Sequence, residues 1–201
     1  MSRAEEILAW WFEGGDDAHP IGPGSPCYQR WFRGGPLVDA QVAERFTEDV
    51  LAARAGAHDG WRGSARGELA LILLLDQLPR HLFRGHADAF TSDATALDVS
   101  RACIAAHRDE QLALIERIFI YLPIQHSERI ADHELAFDRF RALEAQARAR
   151  GAGVVALCVG AIGEQQEHFD TLQRFGRYPY RNAALGRRST AEELAYLAGR
   201  R

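Results

Sequence analysis

The segment ELALILLLDQL, residues 68–78, constrains the fold most strongly because it is apolar on nearly every side. A helix that is apolar all round is stable only where other elements cover it. The segment therefore predicts a central buried helix, which Ser64 caps at its start and Pro79 ends. Because 47% of the 201 residues are hydrophobic, the chain can bury a sizeable core, and we expect a single domain over residues 1–201.

Apolar residues recur at helical spacing along most of the remaining chain, and no segment alternates as a β-strand does. Caps, glycines and prolines mark the expected helix limits. These limits are Ser2 to Gly14, Pro36 to Gly56, a start at Ser92 or Asp93, an end at Pro123, a start at Ser127, Val154 to about Phe175, and a start at Thr190. The pattern predicts an all-α fold of about seven or eight helices, or more, stacked as antiparallel pairs. Glycine and proline in residues 16–35 predict an irregular connection.

The charge composition excludes several classes of function. The formal net charge is -4, so nothing draws the whole chain to nucleic acid, and an anion would need a local cluster of cations. All 24 basic residues of the Lys+Arg total are arginine, which excludes Schiff-base lysine chemistry and a P-loop. We expect neither a nucleic-acid nor a membrane partner.

Cysteine usage and the absence of targeting patterns bear on location and cofactors. The three widely spaced residues Cys27, Cys103 and Cys158 fit neither a disulfide framework nor a CxxC site, which favours a reducing compartment. No signal peptide or apolar run of about 20 residues is recognised, so we expect a cytoplasmic protein. The HExxH and di-iron Glu-x-x-His patterns are missing as well, and we expect no metal and no cofactor.

Two arginine-bearing turns are the main candidates for a binding site. DQLPRHLFRG (76–85) follows the central helix, and RFGRYPYRNAALGR (174–187) follows the seventh. Guanidinium groups held by a proline-fixed turn match carboxylate or phosphate groups two bonds at a time, although arginines at helix ends also cap carbonyls or pair with acids. The candidate ligand-binding residues are Asp76, Gln77, Arg80, Arg84, Arg174, Arg177, Arg181 and Asn182.

A third phrase, YLPIQHSERIADHE (121–134), supplies candidates for proton transfer. His126 and Glu128 lie together there, and His168 lies on the seventh helix. An imidazole near a carboxylate suits general acid-base work, whereas Ser127 is more simply a helix N-cap. The neighbouring aromatic residues in WWF (10–12) and RWF (30–32) predict core packing, with a ligand wall as the alternative.

The phrases LILLLDQLPRHLFRG, YLPIQHSE and RFGRYPYRNAALGR, with the early WWF and RWF, resemble the signatures of the family called domain of unknown function 924. The resemblance covers nearly the whole chain. It implies an all-helical fold similar to right-handed tetratricopeptide-like superhelices, in mostly bacterial proteins without an established activity. Where the family usually has Asn and His, this chain has His81 and Tyr180, so the resemblance assigns these two positions no role.

Two functions from different classes follow from these observations. In the first, the turns gather around a pocket for a small anionic metabolite, with phosphate or carboxylate groups, and His126 or His168 carries a proton in any hydrolytic reaction. In the second, the chain is a superhelical protein-interaction module whose arginine turns form internal ion networks. A homodimer is compatible with both, and the sequence does not decide whether the protein is an enzyme.

Overall fold

The computed structural model describes residues 1–199, and their regular structure is helical, without a strand. This confirms the all-α class. The helices are α1 (Arg3–Trp11), α2 (Pro26–Tyr28), α3 (Pro36–Arg54), α4 (Ala65–Ile72), α5 (Leu78–Leu82), α6 (Asp93–Ala105), α7 (Leu114–Gln125), α8 (Ile130–Ala149), α9 (Val155–Phe175) and α10 (Ala191–Ala198). None of the longer helices within these residues combines the length and hydropathy of a bilayer-spanning segment.

The central helix is buried as the sequence predicts, but Pro79 does not end it. Ser64 Oγ accepts a hydrogen bond from the Gly67 N–H at 3.2 Å, and α4 then continues through a π-helical turn, Leu73–Gln77, into α5. The wider turn interrupts the regular hydrogen-bond ladder, so Pro79 occupies the first turn of α5, where a missing N–H costs little. The π-helical turn also carries Asp76, which becomes fully buried.

Two other expected helix limits are wrong. Pro123 lies inside α7, because the helix is buried along most of its length and its packing outweighs the lost hydrogen bond. Ser127 does not cap α8, whose cap position is Arg129; instead Ser127 Oγ donates to Asp132 Oδ2 at 2.5 Å. The helix predicted from Val154 to about Phe175 is confirmed as α9, and the helix start predicted at Thr190 is confirmed as the N-cap of α10, where Thr190 and Glu193 form a capping box.

The helices pack largely with their neighbours in sequence. Each of α6, α7 and α8 contacts the next helix, while α1 packs on α4 and α3 on α5. The short connection at 150–154 requires α8 and α9 to run antiparallel. Buried apolar side chains from α1 to α9 form one cluster, with the apolar side chains of α4 and its π-helical turn in it.

Residues 16–35 form an ordered connection rather than a loose loop. The Asp17 carboxylate accepts from the backbone N–H groups of Leu114 and Ile115 at 2.8 and 2.9 Å, which places an anion at the start of α7. Farther along, Trp31 Nε1 donates to the Trp11 carbonyl oxygen at 2.9 Å. These contacts fix the π-helical turn Gln29–Arg33 against α1 and set the position of its aromatic side chains.

Gly153 has to be glycine where the α8–α9 turn meets this connection. A Cβ atom added there would lie 2.3 Å from the His19 carbonyl carbon, and the Gly153 N–H donates to the Asp17 carbonyl oxygen at 2.8 Å. We expect Gly153→Ala to lower the free energy of unfolding by about 1–3 kcal/mol in urea denaturation, because backbone must move. Gly160→Ala is the control: it meets nothing within 4 Å, and we expect a gain of about 0.5–1 kcal/mol.

Candidate functional site

A cavity of about 870 Å³ opens between α7, α9 and the connection before α3. Tyr28, Trp31 and Phe32 form an aromatic wall, and apolar side chains of α7 and α9 form the floor. Phe32 remains 48% exposed and Trp31 only 8%, whereas the side chains of WWF pack in or against the core. The core interpretation is therefore confirmed for WWF, and the RWF aromatics also border this cavity. The polar end of the cavity is formed by Gln77, Arg80, Gln125, His126, Glu164 and His168.

Behind this polar end, five residues form a closed set of contacts that we call the polar ring: Asp76, Arg80, Asp93, Arg181 and His126. Asp76 Oδ1 lies 2.8 Å from His126 Nδ1 and 3.2 Å from Arg80 Nη1. Arg80 binds both oxygens of Asp93, at 3.1 and 3.2 Å. Arg181 then donates to Asp93 Oδ2 at 3.1 Å and to the His126 carbonyl oxygen at 3.0 Å. The ring thus joins all three sequence phrases.

Charge within the polar ring is balanced, because two carboxylates face two guanidinium groups. Burial opposes ionisation of Asp76, but the charge of Arg80 and the contact with His126 hold the pKa of this carboxyl well below its usual range. For His126, burial is the largest effect and lowers the pKa to about 4; Asp76 opposes this shift and Arg80 adds to it. His126 is therefore a neutral imidazole at neutral pH.

The structure does not bring the other predicted arginines to the cavity. Arg84 is 57% exposed and pairs through two nitrogens with Asp39, at 2.7 and 2.8 Å. Arg174 pairs with Glu192 at 2.8 Å. Arg177 donates to both oxygens of Glu193, at 2.7 and 2.9 Å, and Asn182 contacts the same carboxylate at 3.3 Å. Arg84, Arg174, Arg177 and Asn182 therefore stabilise the fold through contacts with acidic residues of the same chain and do not line the cavity.

The remaining candidates for proton transfer differ in position. Glu128 accepts from the Tyr178 N–H at 2.9 Å and from Arg187 at 2.7 and 3.0 Å, outside the cavity lining. His168 lines the cavity, and its ring centroid is 6.2 Å from that of His126. Nδ1 of His168 lies 2.8 Å from the Glu164 carbonyl oxygen and 3.2 Å from Gln125 Nε2. Only the two histidines therefore share one site.

Sequence reasoning missed several residues of this site. The sequence offers Asp93 only as an alternative to Ser92 for a helix cap, because its arginine partners lie 13 and 88 positions away in the sequence. Arg33 borders the cavity, is exposed, and has no carboxylate partner within residues 1–199. The RWFRGG phrase could have suggested it, because a cation next to exposed aromatics favours a binding surface. Within the same residues, no three His, Cys, Asp or Glu side chains are grouped as metal ligands.

A helical fold with a polar-ended cavity defines a class of architecture rather than an activity. The similar proteins are likewise described as having unknown function. The model of the family described as "Bacterial protein of unknown function (DUF924)" matches residues 7–200, and the chain belongs to this family. A protein of unknown function from Agrobacterium tumefaciens, ATU0120, has a similar solved structure, with a TM-score of 0.78 and 33% identity over 96% of each chain. No curated protein sequence matched this chain.

Proposed function

We propose that the cavity binds a small anionic ligand with an apolar body. The observation that carries the proposal is the arrangement of the lining: apolar and aromatic side chains in the middle, an arginine without a carboxylate partner in residues 1–199 on the wall, and a polar end with two histidines. Ligand sites are commonly apolar clefts with a few convergent polar groups and a volume of roughly 300–1,000 Å³. The cavity volume of about 870 Å³ is in that range.

Arg33 is the group that we expect to meet the ligand's charge. The guanidinium of Arg80 is already shared between Asp76 and Asp93, so its attraction for a further anion is reduced. Arg33 has no such partner within residues 1–199, and its planar fork suits a carboxylate or phosphate. The ligand would then lie with its anion at Arg33 and its body between Phe32 and the floor of α7 and α9.

Thermal-shift measurements with small carboxylated and phosphorylated compounds test this proposal. A compound present at about 100 times its Kd stabilises the folded state by about 2.7 kcal/mol, which raises Tm by roughly 5–10 °C for a chain of this length. We expect Arg33→Ala to weaken binding about fivefold, the contribution of one exposed ion pair. Gly160→Phe should abolish binding by filling the cavity, because position 160 lines it and a Cβ atom added there meets no protein atom within 4 Å.

Arg150→Ala is the matched control, since Arg150 is also exposed and has no side-chain partner within the described residues. It should bind like the wild type. Equal binding by the wild type and Gly160→Phe would place the ligand elsewhere and contradict the proposal.

An interaction module with a tetratricopeptide-like superhelix is the second candidate. The observation in its favour is that Arg84, Arg174 and Arg177 are paired with acids of the same chain, as internal ion networks require. A module of this kind binds a protein rather than a small anion, so none of the compounds above should shift its Tm.

A further inference from the structure

His126 is oriented as a base toward the cavity. Its Nδ1 lies 2.8 Å from Asp76 Oδ1, and an ionised carboxylate can only accept, so Nδ1 carries the proton and Nε2 keeps its lone pair. Nε2 is on the side of the ring away from Asp76, and it has no hydrogen-bond partner within the described residues. Asp76 is fully buried and is itself held by Gln77 at 2.5 Å. A carboxylate in this position fixes both the tautomer and the direction of the imidazole.

A cation stands beside this base. Arg80 Nη1 and His126 Nδ1 both contact the same oxygen of Asp76, so the guanidinium and the imidazole are neighbours, and both line the cavity. Negative charge that develops on a substrate oxygen next to His126 would therefore form close to Arg80. Fixed cations at such positions lower the barrier to acyl transfer.

The lining offers the base no protein nucleophile to activate. Within the described residues it contains no serine, threonine or cysteine, and the chain has no lysine. Ser127 donates its hydroxyl to Asp132, and burial raises the pKa of all three cysteine thiols. The phenol of Tyr28 makes no hydrogen bond to a base within residues 1–199. The base can therefore act on a water molecule that enters the open cavity.

We propose that the polar end of the cavity is a hydrolytic active site for anionic carboxylic esters, with His126 as general base and Asp76 as its positioning residue. The proposal rests on the proposed binding function. Water loses a proton to Nε2 of His126 while its oxygen bonds to the acyl carbon, and the carbonyl becomes an oxyanion beside Arg80. The bond between the acyl carbon and the alkoxy oxygen then breaks, and that oxygen takes the proton back from His126. Ester and water become carboxylic acid and alcohol.

The charges around Arg80 favour an acyl group over a phosphoryl group as the reacting centre. Asp76 and Asp93 both pair with the Arg80 guanidinium and balance its net charge, so Arg80 can stabilise an oxyanion by close contact but attracts a whole anion only weakly. A phosphate dianion placed there would meet these carboxylates with little net attraction, whereas an ester carbonyl is neutral until the transition state. The ester's separate anionic group would be bound by Arg33.

The test uses the p-nitrophenyl half-ester of glutaric acid, with p-nitrophenyl butyrate and p-nitrophenyl phosphate for comparison. We expect the anionic half-ester to be hydrolysed with the highest kcat/KM and the phosphate not to be cleaved. His126→Gln should lower kcat by about 10²- to 10⁴-fold with little change in KM. Added imidazole should restore part of the activity of His126→Ala, which a folding defect would not allow. The wild-type kcat/KM should rise with pH through the His126 pKa of about 4.

Binding of glutarate, the product acid, separates failure of this proposal from failure of the binding function. Glutarate binding without ester hydrolysis would overturn the active site and leave the pocket standing. Neither binding nor hydrolysis of any ester would overturn both. Hydrolysis that persists in His126→Gln, or cleavage of the phosphate in place of the ester, would overturn the roles assigned to the base and the acyl group.

Discussion

Replacing Asp76 with alanine should lower the free energy of unfolding by about 3–5 kcal/mol, the usual result of removing one partner from a buried ion pair. Asp76 is fully buried and is contacted by His126, Arg80 and Gln77. Without its carboxylate, the two guanidinium groups of the polar ring face a single acid, Asp93. Arg80 and His126 would be left without the carboxylate that both contact, at positions where each is largely buried.

Urea denaturation at pH 7 measures this effect. Asp98→Ala is the matched control, because Asp98 is an exposed aspartate of α6 with no ion pair in the described structure, and it should change stability by no more than about 0.5 kcal/mol. Asp76→Asn keeps the shape of the side chain and separates loss of charge from loss of volume. A cost below about 1 kcal/mol for Asp76→Ala would show that the polar ring does not hold the three turns together.

The helices could be predicted because their signals are local. The α9 pattern gives its limits to within one residue, and the Thr190–Glu193 box gives the start of α10, since caps and apolar periodicity act over a few positions. The limits predicted at Pro79 and Pro123 are wrong because they rest on the same kind of local signal. Whether a proline ends a helix depends on its packing and on a preceding π-helical turn, and neither has a signature in the neighbouring residues.

The candidate site could be predicted only in part, because whether an arginine is available to a ligand depends on acidic residues far away in the sequence. Arg84 and Arg80 lie four residues apart in one turn, yet Arg84 pairs with Asp39 and Arg80 pairs with Asp93. The turn alone makes both look like ligands for an anion. Arg33, in contrast, lies outside both arginine turns, so neither turn points to it, although among the described residues it lines the cavity without an acidic partner.

The stability of the protein should fall as the pH drops from about 6.5 to about 4. The ordinary histidine pKa of 6.5 applies to His126 in the unfolded chain, whereas the folded chain lowers that pKa to about 4. Between these values the unfolded state binds a proton that the folded state does not, so acid favours unfolding. Well above pH 6.5 the full contribution of His126 is present; it is on the order of 3 kcal/mol, and nearly all of it is lost by pH 4. Asp76, whose pKa is also lowered, adds a loss at more acidic pH.

Urea denaturation at pH 7.5, 5.5 and 4.5, compared between the wild type and His126→Gln, isolates this contribution. His81 and His133, whose pKa values burial also lowers, shift both proteins equally. We therefore expect the wild type to lose more stability than the variant as the pH falls. Equal losses would mean that His126 keeps an ordinary pKa in the folded state. The imidazole would then be largely neutral at pH 7 simply because its pKa is 6.5. Its protonation would then be that of a surface histidine, despite the contact with Asp76.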